Sequence, residues 1–399
     1  MKKVYIATFL TCVIMLAVYA SIFTHIKGTP YGGTLKVGFI YEDDESVPYT
    51  YNFASAENAL REAYKDRIEI YSQNNVPDTD AEEPIMDLVR KDCNIIFTNS
   101  YSEDFMKIAR DYPHIQFCQA SFLEEPPKDI PENYHTFKGT IYEGRYLSGI
   151  AAGMKLRELL DREYIEAYEA KVGYIAAYPT TEVISGFTAF ILGVRSVAPE
   201  AKLKVRYTYT WGNYRAEKRC AEELISEGCL VLSQHTDTIG PAIACEEAVG
   251  SLKRIFVGYN QSMLDVAPTS ALISTRINWT PYILDAVEAV RQNRKIESVV
   301  KGNVHGNDVS AGIDRNWVQL LELNSHNAAK GTAEALKEAE EKLRDGSLQV
   351  FKGDYIGVNP NDPTDTIDLN NGFTENAEYS SPSFHYILQD VITIEDDEG

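Results

Sequence analysis

The chain has 399 residues, 44% hydrophobic and 24% charged, enough apolar content for about two domains with full cores. Its formal net charge of −21 at pH 7 repels phosphate backbones and argues against a nucleic-acid partner. The 25 Tyr and the 11% aromatic content suit surfaces that stack flat ligands.

Met1-Lys-Lys precedes an uncharged apolar run over residues 4–23, long enough at about 1.5 Å per residue to cross about 30 Å of hydrocarbon. Everything after it is therefore expected outside the cytoplasm. Residues 1–34 read as a cleaved signal, with small residues at Val18 and Ala20, or as an uncleaved membrane helix with Lys2 and Lys3 inside; the length of the run favours the anchor. Cys12 lies in the middle of the run, a poor place for lipid attachment. Cys93, Cys118, Cys220, Cys229 and Cys245 are odd in number and lack Cys-x-x-Cys spacing. That argues against a metal cage or disulfide scaffold and for buried free thiols.

From residue 35 short apolar runs alternate with helical patterns. Residues 35–41 predict a strand, and Ala56, Leu60 and Tyr64 recur at helical spacing. Residues 68–71 form the next strand, followed by Thr79 and Glu82 as a capping box before Ile85 and Leu88. A strand over 94–98, a helix through Phe105 and Ile108, and a strand over 115–119 complete four alternations. Such alternation predicts a parallel sheet with helices on both faces, here a first lobe over 35–157.

A strand at 136–142, a small-residue helix over 144–156 and a charged bridge over 157–171 come next. The pattern then restarts. Strands at 172–177, 203–209, 230–233 and 255–259 alternate with helices marked by Phe187 and Val194, by Cys220 and Leu224, and by residues 241–249. This is a second lobe over 171–279, so the fold class is α/β, two doubly wound parallel-sheet lobes with a hinged cleft. Residues 271–279 and a helix over 281–291 are expected to recross, and 280–345 to return to the first lobe with a charge-laced helix over 328–343. Residues 346–399 form an acidic extension, either wrapped or partly disordered, with one strand-like run at 391–394.

Ligands of doubly wound sheets bind beyond the carboxyl ends of the strands. That rule selects the loops at 41–51, 98–101, 142–145, 178–181, 210–214, 234–238 and 259–262, which are rich in aromatic, amide and hydroxyl side chains. A flat heteroaromatic ligand needs that mixture. No Gly-x-Ser-x-Gly elbow, His-Glu-x-x-His, Walker loop or Gly-x-Gly-x-x-Gly is present. His235 and Asp237 supply at most two of the three or four ligands a zinc site needs, so neither metal nor cofactor nor catalysis is expected. Each candidate also has a structural role open to it. His235 can be a core histidine under the sheet, Asp237 a helix cap, and Trp211 a core residue. Asn99 and Ser100 can form an ordinary turn, and Phe187 fits core packing. Tyr49 and Tyr51 stand beside Pro48 in a loop, where a binding role is favoured.

The succession Asn94-Ile-Ile-Phe-Thr-Asn-Ser, Ala109-Arg-Asp-Tyr-Pro, Tyr142-Glu-Gly-Arg-Tyr-Leu-Ser-Gly, Lys171-Val-Gly-Tyr-Ile-Ala-Ala, Trp211 and Gln234-His-Thr-Asp resembles the basic membrane protein family. Its members are bilobed substrate-binding lipoproteins of ABC importers, of the type I periplasmic-binding-protein kind, and include purine nucleoside receptors. The likeness spans about residues 35–289 and is greatest to the branch with a Gln-His-Thr-Asp loop. It implies that Tyr49 and Tyr51 stand where that branch has an aromatic Trp-x-Tyr pair, and that Asn99, Ser100, Trp211, His235, Thr236, Asp237, Asn260 and Trp279 occupy the cleft. This sequence departs from the pattern with acidic Glu42-Asp-Asp-Glu-Ser in place of a Gly-rich loop, Asn213-Tyr214 in place of Asp-Pro, and Gln261-Ser262 in place of an acidic residue. The implied protein is a monomer that traps a purine base or nucleoside unaltered and meets ABC permease subunits at the membrane. A membrane-anchored sensory ectodomain is the alternative, and His235 with Asp237 alone motivates a nucleoside hydrolase.

Overall fold

The computed structural model describes residues 33–120 and 129–395; the apolar run at 4–23, with Cys12, lies outside the described residues. Among the described residues no helix is long and apolar enough to cross a membrane. Strand β1 (Leu35–Ile40) is buried at nearly every position, so both of its faces need cover. It pairs in parallel with β2 (Ile68–Gln73) and β3 (Ile95–Thr98), and β3 continues through β4 (Gln116–Ala120) to β5 (Tyr134–Gly139). Helices α1 (Pro48–Tyr64), α2 (Glu82–Arg90) and α3 (Asp104–Asp111) supply that cover. Phe39, Phe53, Phe97 and Phe137 fill one side of the sheet, and Ile40, Ile85, Leu88 and Phe105 the other.

The capping box expected at Thr79 and Glu82 does not form. Thr79 lies in a short 3-10 turn, Asp78–Asp80, and α2 starts after Ala81 without a side-chain cap. That turn instead presents Asp78, whose carboxylate accepts from Ser100 Oγ at 2.6 Å and from the Tyr101 N–H at 2.7 Å.

The chain leaves the first sheet earlier than its sequence suggests. The strand expected at 136–142 ends at Gly139, and α4 (Ile141–Asp161), assigned by sequence to the first lobe, packs on the second. Small residues make this possible. A Cβ at Gly149 would sit 2.2 Å from Phe190 O, and one at Gly193 2.0 Å from Tyr146 O, so α4 and α5 (Thr181–Arg195) touch backbone to backbone. The charged stretch at 157–171 therefore joins α4 to the second sheet rather than bridging lobes.

That sheet runs through β6 (Lys171–Ala176), β7 (Lys202–Tyr207), β8 (Val231–His235), β9 (Ile255–Tyr259) and β10 (Ala271–Ile277), with α6 (Tyr214–Ser226) and α7 (Gly240–Glu247) between strands. After β10 the chain recrosses, as expected. Helix α8 (Thr280–Arg291) packs on α1, and Tyr64 donates to Glu288 at 2.8 Å. Strands β11 (Asn303–His305) and β12 (Asp308–Ala311) extend the first sheet. The expected stay in the first lobe ends there, because β13 (Val318–Leu320) returns to pair antiparallel with β10 and α9 (Thr332–Arg344) packs on α4.

The acidic extension is folded as far as residue 395. Strands β14 (Ile356–Asn359), β15 (Asp362–Asp368) and β16 (Ile387–Leu388) make a small antiparallel sheet, and β17 (Ile392–Ile394) joins the edge of the second sheet parallel to β7. Stacked Phe351 and Phe384, 4.3 Å between centroids, anchor it. The five described cysteines are buried free thiols, as expected.

The closeness of α4 and α5 is testable. Gly193→Val should lower stability by about 2 to 3 kcal/mol through overpacking, read from the urea midpoint; an unchanged midpoint would contradict the backbone contact.

Candidate functional site

The carboxyl ends of both sheets face each other across a cavity of about 150 Å³. The first lobe contributes Glu42, Asp43, Val47, Tyr49, Asp78 and Tyr101, and the second contributes Glu182, Trp211, Asp237, Tyr259 and Asn260. One lining residue, Glu182, belongs to an ion pair between lobes. Lys138 at the end of β5 and Glu182 in the first turn of α5 approach to 3.2 Å, with side chains 1% and 5% exposed. Burial pushes the Lys138 ammonium down to about 8 against the pull of Glu182, and burial raises the Glu182 carboxyl. A second link is neutral: Asn52 of α1 donates to the Asn260 carbonyl at 2.8 Å.

Asp237 stands one residue beyond the neighbour of β8. Its N–H donates to Trp211 O at 2.8 Å, which ties the two cleft loops together. The residue before α7 is Ile239, so Asp237 does not cap that helix and its carboxylate is left to the cavity. Asn260 Nδ2 approaches it at 3.4 Å. Burial first, then the charge of Glu217, pushes the Asp237 carboxyl up to about 7. Glu42 is likewise raised to about 7 by burial and by Asp78 and Asp43. Asn260 holds its side chain in place through a left-handed backbone, φ +61°, which Asn tolerates better than most residues.

Aromatic rings form the other walls. Tyr49 meets Trp279 edge to face at 5.9 Å, and its hydroxyl is 3.4 Å from that of Tyr101. Trp211 leans on Tyr178 at 5.8 Å. Behind Tyr259, the Arg145 guanidinium lies 3.9 Å from the ring centroid and donates to Gln234 O at 2.8 Å.

Of the residues singled out in the sequence, Tyr49, Trp211, Asp237 and Asn260 line the cavity together. Tyr51 does not. The segment expected as a loop is helical from Pro48, and two residues at 100° each turn Tyr51 to the opposite face, where it is 50% exposed. Asn99 and Ser100 support the site from behind: Asn99 accepts from the Glu42 N–H at 2.9 Å and donates to Thr50 Oγ1 at 3.1 Å, while Ser100 holds Asp78. His235 is fully buried, edge to face with Tyr259 at 4.7 Å, and burial followed by Arg145 and Lys138 drives its pKa well down, so it is a neutral prop. Thr236 and Trp279 are also buried beneath the lining, and Phe187 packs in the core against Tyr174 at 5.8 Å. Among the described residues no cluster of His, Cys, Asp and Glu could hold a metal.

Sequence reasoning missed Glu42, Asp43, Asp78, Tyr101, Glu182 and Tyr259 as lining. Glu42, Asp43, Tyr101 and Tyr259 lie in strand-end loops that the sequence did mark, and Glu182 follows one of them directly. Asp78 carried no such signal.

The profile of the Bmp family, described as ABC transporter substrate-binding protein PnrA-like, matches residues 43–348. The chain belongs to this family. It is 27% identical over 324 residues to a purine-binding protein of Brucella abortus (strain 2308), covering 80% of this chain and 83% of that one. It is also 27% identical over 329 residues to a putative ABC transporter glucose-binding protein of Haloferax volcanii, covering 82% and 76%. In fold it is similar to an ABC transporter solute-binding protein from Conexibacter woesei, with a TM-score of 0.58 at 16% identity over 79% of this chain and 98% of that one. The two lobes thus have the type I periplasmic-binding-protein fold, and Bmp proteins act outside the cytoplasm. These relatives are binding proteins, and none is named as a hydrolase.

Asp237 sets a pH dependence. Folded, it keeps its proton to about pH 7, whereas the unfolded residue loses it near 3.8. Its stabilising contribution is therefore present below about pH 4 and lost as pH rises through 7. Asp237→Asn should raise stability at pH 8 by about 1 to 2 kcal/mol and leave it unchanged near pH 4, measured as melting temperature against pH; an equal gain at both would refute the shift.

Proposed function

We propose that this Bmp protein traps a purine base or nucleoside between its lobes and presents it unaltered to the permease subunits of an ABC importer. The observation that carries the reading is the pairing of Asp237 and Asn260 at one edge of a cavity walled by Trp211 and Tyr49. A planar heterocycle presents N–H donors and ring-nitrogen acceptors at its rim, which the carboxylate and amide would meet, while the aromatic walls take its faces. Tyr49, Trp211, Asp237 and Asn260 are the contact residues in this reading, and Glu182 would accept from a further donor. The purine-binding relative supports the same class.

The acidic lining narrows the choice. Glu42, Asp43, Asp78, Glu182 and Asp237 surround the cavity, so a phosphorylated ligand would enter against like charge. The glucose-binding relative supports a second reading, a sugar stacked on Trp211 with its hydroxyls on the same carboxylates. A ligand at 100 times its Kd should stabilise the protein by about 2.7 kcal/mol. In a thermal-shift panel of bases, nucleosides, nucleotides and hexoses, the shift is expected for bases and nucleosides, with inosine recovered intact by chromatography. A shift confined to hexoses would establish the second reading, and released hypoxanthine would establish a hydrolase.

The apolar run at 4–23 fits an uncleaved anchor that keeps the receptor beside its permease. Full-length protein should then sediment with membranes and resist carbonate extraction, with its N-terminal Met detectable by mass spectrometry; a soluble mature chain starting after residue 20 would refute it.

A further inference from the structure

The cleft has an annex. A second cavity of about 180 Å³ shares Tyr101, Glu182 and Trp211 with the first and is lined as well by Thr180, Thr181, Ser381 and Pro382. Ser381 and Pro382 belong to the C-terminal extension, which lies beyond residue 348, where the family match ends. The wall thus lies outside the residues that the family match covers.

The turn that carries it is pinned to both lobes. On the second lobe, buried Glu375 accepts from Ser185 Oγ at 2.7 Å, one turn along α5 from Glu182. The other Glu375 oxygen accepts from Ser383 Oγ at 2.9 Å and from the Phe384 N–H at 2.8 Å. On the first lobe, the Ser380 N–H donates to Asp308 at 2.5 Å, and Asp308 is itself held by Thr136 Oγ1 at 2.7 Å. Between these tethers Asn376, with φ +56°, donates from Nδ2 to the carbonyls of Ser380 at 2.7 Å and Ser381 at 2.8 Å. A buried amide that satisfies two carbonyls of a turn fixes the turn's shape. Ser381 and Pro382 are therefore held rigidly against the cavity.

We propose that the turn at 375–384 is a specificity wall of the ligand cleft, with Ser381 and Pro382 closing a subsite for the pentose-sized, uncharged substituent of a planar base. The inference rests on the function proposed above and deepens it. The two cavities together reach the lower end of the range of about 300–1,000 Å³ for small-molecule clefts, so a base with one further ring fills them and a longer substituent meets Pro382. Trp211 and Tyr101 line the subsite with aromatic surface, and the Glu182 carboxylate excludes a phosphate. Asn376, Glu375 and Asp308 are positioning residues, acting through the wall.

The test is calorimetric titration of the whole exported chain with adenine, adenosine, hypoxanthine and inosine. In Asn376→Ala and in Pro382→Gly, which leaves every tether in place, nucleoside affinity should fall about tenfold while base affinity stays within about twofold. That ratio is a readout a loss of folding would not move, and the second variant answers any failure of the first to fold. Equal weakening of base and nucleoside, or no change in either variant, would overturn the wall, as would a wild type that takes bases but no nucleosides. A wild type that binds neither overturns the proposed function, and this inference with it.

Discussion

The site depends on one buried ion pair. Lys138 and Glu182 come from different lobes, yet they meet at 3.2 Å with almost no solvent. Each charge alone would cost several kcal/mol to desolvate, and only the partner makes the position tolerable. The pair is therefore less a source of stability than a constraint on geometry: the lobes can take up this arrangement only where the end of β5 meets the first turn of α5. Around that point the Asn52 bond to Asn260 and the recrossing at β10 and α8 keep the carboxyl ends of the two sheets opposed. The contact of α4 with α5 serves the same end, because it seats the helix that carries Glu182.

The cleft accepts an electrostatic cost for its chemistry. Five carboxylates converge on a small cavity, and burial raises Glu42 and Asp237 to about 7, at the edge of losing their protons in neutral solution. Such crowding is unfavourable without a ligand and becomes useful with one that donates hydrogen bonds. A neutral donor-rich heterocycle relieves the cluster, whereas an anion aggravates it. His235 and Arg145 complete this arrangement from below: a neutral imidazole and a guanidinium hold Tyr259 without adding a titrating group to the lining.

The sequence showed much of this and misjudged some of it for definable reasons. Trp211, Asp237 and Asn260 were legible because they follow strands of a parallel sheet, and chain direction alone puts strand ends on one side. The resemblance pairs Tyr49 with Tyr51 and Pro48 suggests a loop for both, but Pro is also well placed in the first turn of a helix, and a helix sends the two rings apart. His235, which the sequence leaves open as a ligand contact or a core histidine, ends β8 on the inward side, edge to face with Tyr259, and is absent from the lining. Asp78 was invisible, because the turn that presents it looked like a helix cap, and its partners Ser100 and Tyr101 follow a different strand.

What the sequence determined by itself is the alternation of buried strands and amphipathic helices. Strands apolar on both faces must be covered on both, and short local periods suffice to require two parallel sheets. Tertiary structure alone decided which helix serves which lobe, which carboxylate meets Lys138, and how the acidic extension comes to bridge the lobes beside the cleft. Those outcomes rest on close backbone approach at Gly149 and Gly193 and on hydrogen bonds between residues far apart in the chain, such as Ser185 with Glu375 and Asp308 with Ser380. Pairings of that kind have no period, so nothing in the local order of residues announces them.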